Sequence, residues 1–325
     1  MTSQTLNTGS PMPMLGLGTW KIDKLHCADV IVAAGKAGYR HFDCACDYGN
    51  EIEVGQGIQQ IINEGIATRE ELWITSKLWN TYHAKEHVRP ACEKTLSDLG
   101  LDYVDLYLVH FPIALKFVAF EDRYPPEWVH DPKAEKPGLV TEPVPIRETW
   151  TAMESLVDAG LTKNIGICNF GVSLIRDLLS YAKIRPSVLQ VELHPRLAQE
   201  KLLRFCAQEN IAVTAFSSFG PSSYYQLGMA DESESLIDHE IVQGIAHETE
   251  KTPGQVLLRW AVQRGTIVIP KASSEQHLQE NSAIFDFDLT KDQMTRLSAL
   301  NQNRRFNDPG DFCEAAFNTF FPIYE

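Results

Sequence analysis

The sequence predicts an α/β fold, a (β/α)8 TIM barrel with an N-terminal β-hairpin, long βα loops and an extended C-terminal tail over the barrel mouth. Three observations carry that expectation. Along 325 residues, eight short apolar runs alternate with segments of helical periodicity. Runs such as 106–109 and 267–269 are apolar throughout, as strands covered on both faces are. Several runs end in a functional side chain, Asp43, Lys77, His110 and Lys271, and a barrel gathers such positions on the one face where its strands end. A doubly wound sheet is the other arrangement compatible with the alternation.

Taken in order, residues 4–14 hold Gly9 and two prolines, which suits a hairpin ahead of the main fold. Residues 14–20 read as the first barrel strand. Its glycines, Gly16 and Gly18, fall short of a dinucleotide fingerprint, which needs a third glycine where the chain has Lys21. A helix over 27–37 ends at Gly38, the strand to Asp43 follows, and a helix over 51–63 ends near Gly65. The pattern continues with strand 72–77, helix 85–99, strand 104–110, helix 147–159 and strand 164–168. Helix 172–182 precedes strands 188–192 and 212–216, which flank helix 199–208. Residues 252–264 are helical, with Pro253 suited to the first turn, and 266–269 form the last strand.

Two segments interrupt the repeat. Residues 111–146 hold seven prolines and no periodicity, so they are expected to be an insertion over the active face, the usual role of so long a loop in a compact domain. Residues 217–236 are rich in hydroxyls and suited to folding over a phosphate. The tail after Asn301 is aromatic, lacks helical spacing, and is expected to lie across the barrel mouth.

A hydrophobic content of 44% suffices for a large core, and one domain over residues 1–325 is expected. The net charge of −14 argues against electrostatic binding to nucleic acid or to anionic membranes. No charge-free run could span a bilayer, and the first residues lack the pattern of a secretory signal, so a cytoplasmic protein is expected. Seven cysteines, an odd number, suit a reduced compartment. Cys44 and Cys46 have no second close pair, so they read as buried small side chains rather than metal ligands. His83 and His87 stand four apart but lack both the metalloprotease order and a third ligand, and they read as surface polarity on a helix. No metal is expected.

At this point the residues carry a resemblance. The motifs G-Y-R-H-F-D ending at Asp43, L-W-I-T-S-K ending at Lys77, I-G-I-C-N ending at Asn169 and I-P-K ending at Lys271 resemble those of the aldo-keto reductases, in that family's order. Within it, K-L-W-N-T-Y-H from Lys77, H-F-P-I-A-L-K from His110, S-S-F-G-P from Ser217, L-R-W-A-V-Q-R from Leu258 and R-F-N-D-P from Arg305 are similar to the xylose reductases. The resemblance spans almost the whole chain. It implies a barrel enzyme that reduces aldoses, xylose foremost, and other aldehydes with NADPH.

That chemistry needs the residues at the strand ends. Hydride transfer to a carbonyl carbon builds negative charge on oxygen, so a proton donor must stand beside it. Tyr48 is the expected donor. A neighbouring ammonium, Lys77, should lower its pKa from the ordinary ~10, and Asp43 should keep Lys77 protonated. The resemblance gives His110 the role of a neutral donor that orients the carbonyl. Taken singly, Asp43 and Lys77 could be a structural ion pair, Tyr48 a core aromatic and His110 a polar strand end; the four in family order favour the catalytic reading.

The resemblance further implies that Asn169 and Gln190 bind the nicotinamide amide, with Cys168 standing where the family usually has serine. Phe216 takes the place of a stacking tyrosine. Thr19, Trp20 and Asp43 are assigned to the cofactor as well, as are Ser217, Ser218, Phe219, Pro221 and Ser222 in the loop. Lys271, Ser273 and His277 lie where relatives bind the adenosine 2′-phosphate, and Glu280 and Asn281 at the adenine. Histidine offers a phosphate less than arginine's fixed, planar fork, so use of NADH beside NADPH is expected. Around the mouth the resemblance places Trp20, Asp47, Trp79, His110, Phe111, Asn307 and Asp308 against substrate. Trp20 and Trp79 also read as rim packing, and Asp308 before Pro309 as a turn former. Lys116 and Arg305 keep a hexose phosphate open as substrate. A cofactor-binding barrel without activity and a metal-dependent hydrolase are the rival classes. A monomer or a homodimer is compatible with the family.

Overall fold

The computed structural model describes residues 2–324. Strands β1 (Ser3–Thr5) and β2 (Pro11–Pro13) form the expected antiparallel hairpin. Eight strands follow: β3 (Leu17–Gly18), β4 (His41–Asp43), β5 (Trp73–Leu78), β6 (Val104–Val109), β7 (Thr162–Cys168), β8 (Val188–Glu192), β9 (Ala212–Phe216) and β10 (Thr266–Val268). They lie in sequence order, each parallel to the next. The ring closes through a parallel bridge of Leu15 to Val268, where the Val268 N–H donates to Met14 O at 2.9 Å and the Gly16 N–H to Val268 O at 2.8 Å. Closure separates this barrel from a doubly wound sheet, which would leave two open edges.

The two glycines of the first strand have a steric reason. A Cβ on Gly16 would stand 2.5 Å from Nδ1 of His41, and one on Gly18 would stand 2.7 Å from the carbonyl oxygen of Ile269. Gly16 thus makes room for the His41 ring of β4, and Gly18 lets the seam with the last strand close; the regular part of the first strand is two residues long.

Alternation along the strands sorts side chains to two sides. Leu106 and Leu108 of β6 share an interior cluster with Trp73, Val188, Ala212 and Ile267, whereas Tyr107 and Val109 pack outward with the helices. Leu6 and Met12 of the hairpin join the interior cluster and seal the barrel's amino end. Truncating a residue such as Leu106 to alanine would cost about 2–5 kcal/mol, since the surrounding strands relax little. Towards the carboxyl ends the same inward period turns polar, giving Thr75 and Lys77 on β5 and Gln190 on β8.

The surrounding helices are α1 (Lys24–Lys36), α2 (Glu51–Asn63), α3 (Lys85–Leu99), α4 (Ile146–Asp158), α5 (Val172–Leu179), α6 (Glu200–Gln208), α7 (Glu240–Thr249), α8 (Pro253–Gln263), α9 (Glu275–Ser282), α10 (Lys291–Ser298) and α11 (Pro309–Phe317). Their starts follow local chemistry: Asp23 accepts the Leu25 N–H at 2.9 Å to open α1, and Thr252 with Gln255 forms a capping box ahead of Pro253 in α8. Among the described residues no helix is long and apolar enough to cross a membrane.

Four helices depart from the sequence reading. Residues of α7 and α10 carry no assignment, α9 is expected only as a helix end at Glu280 and Asn281, and the tail expected to lack helix contains α11. The tail helix is set by its start: Asp308 Oδ1 accepts the Gly310 N–H at 2.8 Å and Pro309 occupies the first turn. Only Pro309, Gly310 and Cys313 of it are buried, too few for an apolar stripe to register. His83 also departs from expectation. It is buried just after the short turn Asn80–Tyr82, outside α3, while His87 lies within α3 and stacks on Phe117 at 3.7 Å.

Candidate active site

Period-two alternation brings Asp43 at the end of β4 and Lys77 near the end of β5 to the same inward side. Lys77 is fully buried, and its ammonium uses all three protons: it donates to Asp43 Oδ1 at 2.6 Å, to Cys44 O at 2.7 Å and to Tyr48 Oη at 3.1 Å. Tyr48 ends the short turn Cys46–Tyr48, which Gly49 terminates at φ 69°, a value that favours glycine. His110 follows β6, anchored by its N–H to Leu78 O at 3.1 Å. Its ring stands edge-on to Tyr48 with centroids 6.0 Å apart.

Electrostatics follow from burial and these contacts. Burial alone would lower the Lys77 ammonium, but the charge and hydrogen bond of Asp43 outweigh it, so Lys77 is held well above its ordinary range and stays charged. Burial, reinforced by Lys77, pushes His110 well below its ordinary value, so its imidazole is neutral. For Tyr48 the sequence reading is corrected. Burial raises the phenol, and although Lys77 opposes this, the net shift is upward. Tyr48 is therefore firmly protonated rather than partly ionised.

These groups open into a cavity of ≈ 720 Å3. At its deep end Asn169, with φ 64°, donates to His110 O at 2.9 Å and contacts Cys168 Sγ at 3.1 Å. Gln190 does something the sequence did not suggest: its Nε2 donates one proton to Asp43 Oδ2 at 2.7 Å, while its carbonyl oxygen takes only a long contact from Cys168 Sγ at 3.9 Å and keeps a lone pair for a ligand. Phe216 is half-buried on the wall. Beyond it, Ser217 and Ser218 begin the loop 217–236, where Ser217 Oγ meets Tyr224 Oη at 2.7 Å and Lys21 Nζ donates to Ser223 O at 2.7 Å. The far end is marked by the exposed Lys271.

Thr19, Trp20, Asp47, Phe111, Phe219, Ser222 and Asn307 also line this space. Asp47 is half-buried, and burial first, then Glu127, pushes its carboxyl up to about 7 against the opposing pull of Lys77.

Other nominated residues stand outside the lining. Trp79 is fully buried beneath the rim, its Nε1–H donating to Glu127 O at 3.0 Å and its ring edge-on to His110 and Phe111. Asp308 is committed to capping α11. Pro221 is buried under the loop. Ser273 and His277 are exposed beyond Lys271, Glu280 is half-buried on α9, and Asn281 is buried there against Tyr39.

Sequence reasoning missed three neighbours. Trp128, inside the 111–146 insertion, lines the cavity and packs edge-on against Trp79, Phe111 and Phe312. Tyr224 lies between Trp20 and Phe306. Tyr324, in the tail, donates to Asn169 Oδ1 at 3.2 Å beneath the Arg305 guanidinium, 3.6 Å from its ring. The only available signal was the aromatic richness of those segments.

Residues 14–302 match the aldo/keto reductase family. The chain is 52% identical over 306 residues to an Aspergillus fumigatus protein named "Probable NAD(P)H-dependent D-xylose reductase", covering 94% of this chain and 96% of that one. An Aspergillus niger NAD(P)H-dependent D-xylose reductase is 50% identical over 321 residues, covering 98% of each. Among solved structures, the aldose reductase from Schistosoma japonicum superposes with a TM-score of 0.87 at 36% identity over 100% of both chains. The chain belongs to the aldo/keto reductase family.

Proposed function

We propose that this chain is a single-domain, cytoplasmic NAD(P)H-dependent reductase of aldoses, xylose foremost, and of other aldehydes. The observation that carries the reading is the buried Asp43–Lys77–Tyr48 chain beside a neutral His110, opening into one cavity, in a protein half identical to enzymes named for xylose reduction.

The residues present fit a nicotinamide cofactor. The cavity joins a deep end bearing amides to an aromatic wall, a hydroxyl-rich loop and an outer cation, the groups that an amide, a flat ring and phosphates require. Asn169 and the Gln190 carbonyl would take the carboxamide, Phe216 the ring face, the loop from Ser217 the pyrophosphate and Lys271 the outer phosphate. When bound, the reduced nicotinamide supplies a hydride to the carbonyl carbon.

Everything else falls to the chain itself. His110, neutral, donates an N–H that orients the carbonyl oxygen. Tyr48 delivers its proton to that oxygen as charge builds there. An alkoxide is far more basic than a phenolate, so the transfer runs downhill even from a phenol raised by burial. Lys77 stabilises the phenolate left behind: at an effective protein dielectric, an ammonium about 4 Å from a charge is worth about 4 kcal/mol. Asp43 holds Lys77 in place, and Gln190 in turn holds Asp43. Asp47 and Asn307 offer hydrogen bonds to sugar hydroxyls, while Trp20, Phe111 and Trp128 supply apolar walls that suit aromatic aldehydes too.

At the adenosine end, Lys271 with His277 in place of a planar guanidinium supports use of both NADPH and NADH. A hexose phosphate is the second reading: it would call on Arg305, whose guanidinium stacks on Tyr324 with Nη1 unpartnered, whereas Lys116 is exposed outside the cavity lining. The test is a steady-state panel of xylose, arabinose, glucose, a hexose phosphate and benzaldehyde with each cofactor. NADPH oxidation continuing beyond one equivalent, with xylose ahead of the hexose phosphate, is expected. Oxidation that stops at one equivalent, or a preference for the phosphate, would overturn the reading.

A further inference from the structure

Glu192 ends β8 two places beyond Gln190, so it faces the same inward side one layer nearer the mouth. Its carboxylate is fully buried, and all its partners are defined. Oε1 accepts the Phe306 N–H at 2.9 Å and meets His194 Nε2 at 2.8 Å, and Oε2 accepts the Asn307 N–H at 2.9 Å. A buried carboxylate is costly unless its oxygens are satisfied, and a strand end has no need of one. Here the charge is spent on two successive backbone N–H groups of another segment.

That segment, residues 302–307, precedes α11 and has no helix or strand of its own to fix it. Its other ties are to loops: Arg304 Nε donates to Glu234 Oε1 at 2.8 Å, and the Phe306 ring lies 6.0 Å from that of Tyr224. Among the described residues only Glu192 connects it by hydrogen bonds to a barrel strand at Phe306 and Asn307, and Asn307 lines the cavity.

We propose that Glu192 is a positioning residue that sets aldose affinity, by clamping the backbone of Phe306 and Asn307 so that Asn307 is presented at a fixed point of the mouth. The proposal rests on the reading of this cavity as an aldose site. Glu192 touches neither the reacting atoms nor the cofactor groups, so its effect belongs in substrate binding. Preorganisation of this kind lowers the ordering cost that a flexible segment would otherwise impose on each binding event.

The test is Glu192→Gln in the full chain, read by amide hydrogen exchange and by steady-state kinetics. An amide loses the charge and points N–H at N–H on one side. Exchange at Phe306 and Asn307 and the KM for xylose are each expected to rise about tenfold or more, with kcat within about twofold and NADPH affinity unchanged. Glu192→Asp, which keeps the charge on a shorter stem, should give an intermediate rise and serves if the glutamine variant does not fold. Combined with Asn307→Ala, Glu192→Gln should add little further to KM, because both changes remove one contact. Unchanged exchange at both amides, a fall in kcat with KM constant, or KM effects that multiply in the double variant would each overturn the proposal. Aldose turnover by the unaltered chain tests the underlying reading separately, and the exchange measurement judges Glu192 whatever that result.

Discussion

The two ends of the cavity are built in opposite ways. At the deep end, Lys77 has spent all three ammonium protons and Asp43 both oxygens, on groups fixed by β4, β5 and β8. At the outer end, Lys271, Ser273 and His277 are exposed, and the side-chain bonds of that stretch are local to α9 and its cap: Ser274 Oγ accepts the His277 N–H at 3.2 Å and Gln276 Nε2 donates to Glu280 Oε1 at 2.7 Å. A buried network has one geometry and breaks when any member is lost. An exposed cluster adapts, and each member contributes little. On the proposed function, chemistry is thereby fixed at one end while cofactor choice stays adjustable at the other.

Substitutions at the two ends should separate accordingly. Lys77→Met is expected to have the largest effect: it leaves Asp43 buried without its cation, which costs about 3–5 kcal/mol of stability. It also removes about 4 kcal/mol of phenolate stabilisation, or about a thousandfold in kcat. Denaturant titration and single-turnover kinetics measure the two. A stable, active variant would abolish the contrast.

Asp47, between the ends, should behave in an intermediate way. Its carboxyl titrates near 7, so it is neutral below and charged above that value. A carboxylate accepts sugar hydroxyls better than the acid does, so the aldose KM is expected to fall by a fewfold as pH rises through about 7. Asp47→Asn should flatten that profile. The stability sign is opposite: the folded value lies above the unfolded ~3.9, so the contribution is complete below about 4 and is lost as pH rises through about 7. Titrations of unfolding free energy for both forms check this. His277→Arg should have the smallest effect, a several-fold gain in the ratio of NADPH to NADH efficiency from one exposed charge–phosphate contact. A ratio left unchanged would remove His277 from cofactor choice.

What the sequence revealed follows the same division. The strand–helix repeat was legible because its apolar periods are local, whereas closure, which separates the barrel from a doubly wound sheet, joins Leu15 to Val268 across the chain; Asp43, Lys77 and His110 stood out because strands end there. The sign of the Tyr48 shift was not, since desolvation depends on what covers the phenol as well as on which charge stands beside it. Gln190 read as a ligand contact, although half of its amide is committed to Asp43. Trp128 and Tyr324 reach the site from segments without periodicity, so only the folded chain reveals them. Trp79 and Asp308 carried motif positions, yet packing and helix capping claimed them. The helix α11 went unread because its start depends on a cap and a proline rather than on a stripe.

The central claim is that a fully protonated Tyr48, backed by Lys77, is the proton donor. Its most direct test is Tyr48→Phe, which removes one oxygen, measured for kcat with xylose alongside NADPH binding. The account predicts a loss in kcat of at least about a hundredfold, with cofactor affinity close to that of the parent and a lowered melting temperature, since a buried Lys77 proton loses its acceptor. A folded variant that binds NADPH and reduces xylose at the parent rate would contradict it.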